Sequence, residues 1–332
     1  MCPPTRMEQD KTMNNCSKSD KNDSQNISAN QHPELPTQNS NSLLSTLTTL
    51  NSQFKKYHGL GNDYIVMGPE LPEGQFSPEF VRRVCNPHYG VGSDGLLHGP
   101  LTSDTADFRV RMYNPDGSEF EKSGNGLRIF TRYLFDMEYI QHDPVTIETK
   151  GGLVTAQVLR ENGLIRVEMG KASLRSDVIP VRGESREMLD EVLEIENRQF
   201  RISAVTVGNP HCVVFIENPK ELSPDLAKTW GPLIEPHPLF PHKTNVQFMS
   251  PLDERNIRIE IWERGVGYTM ASGSSSCAAA TVAYRLGFCG NDVNVHVPGG
   301  VIHIQIHEDS SLTMTAPVVK ICEGKLSSEC LP

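Results

Sequence analysis

The sequence predicts an α+β protein built from two similar halves. Three observations predict it. Short strands alternating with period two recur from about Phe54 onward, only two segments are clearly helical, and each of those helices follows a strand, a polar turn and a Ser-Gly pair. At 332 residues the chain has room for two domains, each able to bury its own core.

The elements in order support this. Met1 to about Ser52 is rich in Asn, Ser, Thr, Gln and Lys and nearly lacks aromatics. Such a segment buries too little apolar surface to offset its ordering entropy, so a disordered tail is expected, with one short helix around Leu43 to Leu50. It has no signal-peptide apolar core, and Glu8, Asp10 and Asp20 fit poorly with an Arg-rich transit peptide. Beyond it, Asp107 to Tyr113, Leu164 to Met169, Ile257 to Trp262 and Val301 to Ile306 alternate as half-buried strands do. The two helices are expected from about Gly126 to Met137 and from about Ser276 to Leu286.

Composition excludes several classes. A formal charge of -10 argues against a nucleic-acid surface, which needs clustered Lys and Arg. No apolar run approaches the roughly 20 residues that cross a bilayer. The eight cysteines show neither a disulfide framework nor CxxC metal spacing, so a reduced, cytoplasmic protein without a metal site is expected. Cys277, among alanines, reads as a packed core residue.

The Ser-Gly pairs carry the chemistry. A loop entering a helix leaves backbone N–H groups unpaired at the positive end of the helix dipole. Gly124-Asn125-Gly126 and Gly273-Ser274-Ser275 lack bulky side chains, so an anion can approach those donors closely. If both helices point into one cleft, they form a carboxylate cradle. Each serine taken alone reads better as a plain helix cap, and it is the matching pair that points to a site. Other polar turns stand in line: Gly59 to Asp63, Asn114 to Glu119, Gly208 to His211, Thr244 to Val246 and Glu263 to Gly265. Each has a local explanation in asparagine's tolerance of turn geometry.

Taken together and in order, these motifs closely resemble the diaminopimelate epimerase family. The set runs from Lys56-Tyr57-His58-Gly59-Leu60-Gly61-Asn62-Asp63-Tyr64 through Gly90 to Gly95, Asn114 to Glu119, Ser123 to Gly126, Gly208 to His211, Thr244 to Val246 and Glu263 to Gly265, ending with Ala271 to Gly273. It covers nearly everything from Phe54 to about Gly324. The resemblance implies two halves, residues 53–168 and 169–317, each a curled sheet around a central helix, with the strand from about residue 318 returning to the first half. It implies an amino-acid epimerase that needs no cofactor, acting on LL- and meso-diaminopimelate in lysine and peptidoglycan precursor synthesis, with a homodimer as a candidate assembly. It places substrate contacts on Asn62, Asn114, Asn209, Asn245, Glu263 and Arg264, and carboxylate-binding backbone donors on Gly124, Asn125, Gly273 and Ser274.

One departure matters. Where the family carries its two catalytic cysteines, this chain has Ser123 and Ser272, and Tyr268 stands where a glutamate is usual. A thiol has a reference pKa of about 8.5. A hydroxyl that behaves like water lies near ~15.7. The gap of roughly 7 units is about 10 kcal/mol, beyond the ~2 kcal/mol each helix dipole supplies. Serine bases therefore need a proton-accepting neighbour, and Lys122, Tyr268 and His58 are the residues the sequence offers. Three readings stay open: an epimerase using Ser123 and Ser272 with such a neighbour, a proton-shifting isomerase or dehydratase on the same scaffold, and a non-catalytic binder of diaminopimelate-like ligands.

Overall fold

A computed structural model describes residues 52–330. The expected disordered tail and the short helix around residues 43–50 lie outside the described residues, apart from Ser52.

Among the described residues are eighteen strands in one continuous sheet system and four α-helices: α1 (Pro78–Cys85), α2 (Gly124–Asp136), α3 (Pro224–Ile234) and α4 (Gly273–Arg285). The four strands read from the sequence form as Phe108–Tyr113, Leu164–Lys171, Asn256–Glu263 and Gly300–Ile306. Their alternation has a direct cause. In the third of them Ile257, Ile259 and Ile261 are fully buried, because period two sends every second side chain to the same face.

The same strand order occurs twice. Gln53–Gly59 forms a hairpin with Asn62–Met67, which runs parallel to Leu96–Leu101. That strand pairs antiparallel with Phe108–Tyr113, which runs parallel to Val145–Thr149, and α2 makes the crossover. In the second set Arg198–Thr206 forms a hairpin with Pro210–Phe215, which runs parallel to Asn245–Asp253. That strand pairs with Asn256–Glu263, which runs parallel to Asp292–Val297, and α4 makes the crossover. The final strand Val319–Lys325 returns to pair with Gln53–Gly59.

Each curled sheet wraps one central helix, so both helices are buried on nearly every side. Leu127, Ile129, Phe130 and Leu134 of α2 are fully buried, as are Cys277, Ala278, Ala279, Ala280 and Ala283 of α4. The alanines let the second sheet close tightly around its helix. The two sets join where Leu164–Lys171 pairs antiparallel with Ser311–Ala316. This seam carries Met169 and Met314, and the core is continuous across it.

Both central helices begin earlier than the sequence suggests. Gly124 to Gly126 and Gly273 to Ser275 are the first helical turns, not part of the entering loops. Their glycine, asparagine and serine content reads as turn chemistry. A serine cap before each run and burial of the run after it override that local preference. Helices α1 and α3 are not among the helices the sequence predicts, yet each starts with a capping serine followed by proline, Ser77-Pro78 and Ser223-Pro224.

Candidate active site

The two helix starts face each other at the seam. A Cβ placed on Gly273 would lie 3.4 Å from the Gly124 Cα and 2.8 Å from the Met314 sulfur. One placed on Gly124 would lie 3.0 Å from the Met314 methyl and 3.1 Å from that of Met169. A side chain at either position would have to displace the ends of the two methionines, so glycine at both keeps the helix starts closely packed over them. Ser123 and Ser272 are the N-caps, with nearly the same backbone conformation (φ −136°, ψ 125° and φ −143°, ψ 125°). The Ser123 hydroxyl accepts from the Gly126 N–H at 3.0 Å, and Ser272 accepts from Ser275 at 3.4 Å. The cap carbonyls take the next N–H, from Leu127 and Ser276. The first two N–H groups of each helix, those of Gly124 and Asn125 and of Gly273 and Ser274, therefore have no acceptor within their helix. Four backbone donors and two positive helix ends converge on one place, which suits a carboxylate.

Each cap hydroxyl has a second partner, and the partners differ. Ser272, itself buried, stands beside the Glu263 carboxylate at the end of Asn256–Glu263, close enough for its hydroxyl to act on that group's charge. Burial pushes the Glu263 carboxyl up to about 7, the Ser272 hydrogen bond opposes the rise, and the neighbouring Asp94 carboxylate adds to it. A carboxyl with that pKa is both acid and base at neutral pH. Ser123 lies 3.4 Å from the Tyr64 hydroxyl. Burial holds that phenol well above its ordinary value, and the carboxylates of Glu263, Asp94 and Asp63 add to the effect. Tyr64 is therefore a neutral donor or acceptor. Gly95 makes room for its ring, since a Cβ there would lie 2.6 Å from the Tyr64 Cε1.

The asparagines join the two helix starts to the surrounding loops. Asn125 donates through Nδ2 to Asn62 Oδ1 at 2.9 Å and to the Ala271 carbonyl at 3.1 Å. Asn62 in turn donates to Asp94 Oδ2 at 2.9 Å. Asn245 donates to the Pro210 carbonyl at 2.9 Å and accepts from the Arg264 backbone at 3.0 Å, so its amide ties together two of the polar turns. Asn209 Oδ1 bonds the His211 ring at 2.9 Å. Burial pushes this histidine down to about 3, so it is neutral at pH 7. Asn114 follows the Leu96–Tyr113 pair, which puts it beside Gly95, and its amide bonds Ser118 at 3.0 Å. Arg264 is exposed and its guanidinium donates to the His242 carbonyl at 3.0 Å.

The family profile described as diaminopimelate epimerase matches residues 54–175 and 203–321. The chain belongs to the diaminopimelate epimerase family. A relative named diaminopimelate epimerase 2, from Nostoc sp., is 49% identical over 277 residues, covering 83% of this chain and 96% of its own. A diaminopimelate epimerase from Desulfitobacterium hafniense is 39% identical, covering 83% of this chain and 98% of its own. Among solved structures, a hydroxyproline epimerase from Agrobacterium vitis superposes with a TM-score of 0.61 at 15% identity, covering 82% of this chain and 92% of its own. A PhzF-family phenazine biosynthesis protein from Bacillus anthracis gives a TM-score of 0.60 at 16% identity, covering 83% and 98%. These last two likenesses speak for the fold alone.

Within this diaminopimelate epimerase fold, the three neighbours that the sequence offers as proton acceptors for the serines are all engaged elsewhere. Tyr268 donates to Glu260 at 2.7 Å and its ring carries the Lys228 ammonium at 4.9 Å. His58 accepts from the Gly61 N–H at 3.2 Å, and Lys122 reaches the Met169 carbonyl at 3.5 Å. Glu263 and Tyr64 stand beside the two serines instead. Both lie within the motifs that carry the family resemblance, but only the pairing of strands brings them to the serines. Cys277 is fully buried in α4, and burial pushes its thiol up to about 12, as a packed core cysteine requires.

Proposed function

We propose that this protein is a cofactor-independent amino-acid epimerase that interconverts LL- and meso-diaminopimelate in lysine and peptidoglycan precursor synthesis, with Ser272 and Ser123 on opposite faces of the α-carbon. The observation that carries this reading is the Ser272–Glu263 pair. In the forward step Ser272 Oγ takes the α-proton while its own proton passes to the Glu263 carboxylate. The bonding pair left on the α-carbon delocalises into the substrate carboxylate. That carboxylate sits against the N–H groups of Gly124, Asn125, Gly273 and Ser274, where growing negative charge is stabilised by donors already in place. Ser123 then delivers its proton to the opposite face and takes one from Tyr64, and the cycle closes when solvent returns a proton to the Tyr64 phenolate and removes the one held by Glu263. Atoms and charge balance, and no electrons leave the substrate.

This relay answers the energetic objection to serine. The proton does not come to rest on a hydroxyl with a pKa near ~15.7. It comes to rest on a carboxyl at about 7, below the reference thiol value of about 8.5. The same pair favours an enzyme over a binder, because a cap serine needs no titrating carboxylate at its side. On this reading Asn62, Asn114, Asn209, Asn245 and Arg264 frame the remote amino-acid end of the substrate, Asn245 by holding the two turns in place. The halves divide near residue 169, with the last strand returning to the first half. The protein acts in the cytoplasm as a homodimer; among the described residues no helix is long and apolar enough to cross a membrane.

Purified protein with LL-diaminopimelate in D2O, followed by NMR at the α-position, tests the reading. Deuterium incorporation with formation of the meso isomer is the expected result. Binding without any α-proton exchange would sink it.

A further inference from the structure

The buried charge behind the first helix start has no counter-ion. Arg128 is completely inaccessible to solvent. Burial pulls its guanidinium down to about 10, which leaves it charged at neutral pH. Its hydrogen-bond partners are neutral: Nη1 donates to the Pro317 carbonyl at 3.3 Å, Nη2 donates to Asn125 Oδ1, and Nε has none. The fork lies against the backbone of Gly59, where a Cβ would come within 3.2 Å of Nη2. An unpaired buried cation is costly, and hydrophobic packing would fill the same space more stably. The chemistry of its neighbours shows what the charge does.

Arginine has donors only, so it accepts one end of an amide and rejects the other. With Oδ1 of Asn125 held by Arg128, Nδ2 must point the other way. There it meets the Ala271 carbonyl, the residue just before Ser272, together with Asn62 Oδ1. Turned over, Asn125 would set its oxygen against the Ala271 carbonyl oxygen. The direction passes on, because Asn62 then presents its own Nδ2 to Asp94. The second guanidinium branch grips Pro317, in the link that carries the chain from the seam strand Ser311–Ala316 to the final strand. One side chain thus fixes the first helix start, the segment entering the second and the returning link.

We infer that Arg128 is a positioning residue that, through Asn125, sets the spacing between the Ser123 and Ser272 caps and so couples proton removal on one face to proton delivery on the other. This rests on the epimerase reading only for its kinetic readout. Without the pin, either serine still reaches the α-proton, but the opposite serine no longer stands where the carbanion needs it. A misplacement of about 1 Å costs on the order of 100-fold in such a step.

The test compares wild type, Arg128→Met, Arg128→Lys and Asn125→Asp with LL-diaminopimelate in D2O, measuring α-deuteration and isomer conversion separately. Asn125→Asp keeps the shape and the bond to Arg128 but removes the donor to Ala271, so it serves where Arg128→Met does not fold. Conversion is expected to fall about 100-fold while deuteration falls less than about 10-fold, so that deuterated, unconverted substrate accumulates. Arg128→Lys is expected to restore part of the coupling. A parallel fall of deuteration and conversion in all three variants would overturn the inference. If wild type itself exchanges no α-proton, the epimerase reading fails, and the pin is judged by backbone hydrogen exchange in the free protein. Asn125→Asp is then expected to speed exchange at Gly126 and Ser275, whose N–H groups the two caps hold, together by at least about 10-fold, and unchanged exchange there would refute the pin.

Discussion

The helix start at Ser123 and the one at Ser272 share a backbone and differ in what stands beside the hydroxyl. Both caps take the third N–H of their helix, in nearly the same conformation. Beside Ser272 is a carboxyl poised at about 7, and beside Ser123 is a phenol held neutral by burial. The repeated strand order explains the shared frame, since each sheet delivers a helix N-terminus to the seam. It does not require the two sites to have equal chemistry. A proton accepted at Ser272 has somewhere to go at neutral pH, whereas one accepted at Ser123 meets only a neutral phenol. The inferred division of labour is a strong base on the Glu263 side and a proton donor on the Tyr64 side.

The largest expected effect follows from removing the stronger side. Ser272→Ala and Glu263→Gln should each lower α-proton exchange by about 10³-fold, within the usual range for a general base. Ser123→Ala should instead spare much of the exchange from the isomer whose α-proton faces Ser272, while abolishing conversion. NMR in D2O with each isomer separates these outcomes. Equal losses of exchange at both serines would mean that the two sides are chemically alike.

Next in size is a rescue. Cysteine at position 272 ionises near its own reference value of about 8.5 and needs the carboxylate less. Glu263→Gln should then cost only about 10-fold in the Ser272→Cys background, against about 10³-fold in wild type. A cycle of the four proteins measured at one pH decides it. An unchanged cost would assign Glu263 to substrate binding alone.

A smaller effect is expected from pH. The base form of Glu263 is required, so kcat/KM should rise about 10-fold from pH 6 to a plateau above pH 7, following its pKa of about 7. The rise should vanish in Glu263→Gln. A profile set only by a group above pH 8 would point away from the carboxylate.

What the sequence disclosed and what it withheld divide along physical lines. Strands such as Asn256–Glu263 were legible because burial of alternate side chains leaves a direct trace in the order of residues. The facing helix starts are legible as a repeated Ser-Gly pair, though the helices begin two to three residues before the predicted starts because Gly124-Asn125-Gly126 looks like a turn. Helices α1 and α3 carried a Ser-Pro signal at Ser77 and Ser223 that their short apolar patterns did not reinforce. The partners of the serines were not legible at all. Tyr64 reaches Ser123 through the packing of a strand against a crossover helix, and Glu263 reaches Ser272 only after the Glu263–Gly267 turn pairs back on itself. Such contacts depend on register, and Tyr268, nearer in sequence to Ser272, points instead to Glu260.

The smallest effect concerns stability, and it separates the two sides without any substrate. Glu263 has a folded pKa of about 7 against an ordinary value of 4.5. Below pH 4.5 it is protonated both folded and unfolded, and its contribution to folding is most favourable. Between pH 4.5 and 7 the unfolded chain releases the proton while the folded protein retains it, so stability falls as pH rises. Above pH 7 both forms are ionised and the penalty is complete, amounting to no more than about 3 kcal/mol. Glu263→Gln should remove this slope and make the protein more stable than wild type at pH 8, measured by urea unfolding at a series of pH values. Tyr64→Phe should leave the slope in place, because its phenol does not titrate in this range. A wild-type slope of the opposite sign attributable to Glu263 would mean that its carboxylate is stabilised in the cleft, and then it could not be the site where the abstracted proton rests at neutral pH.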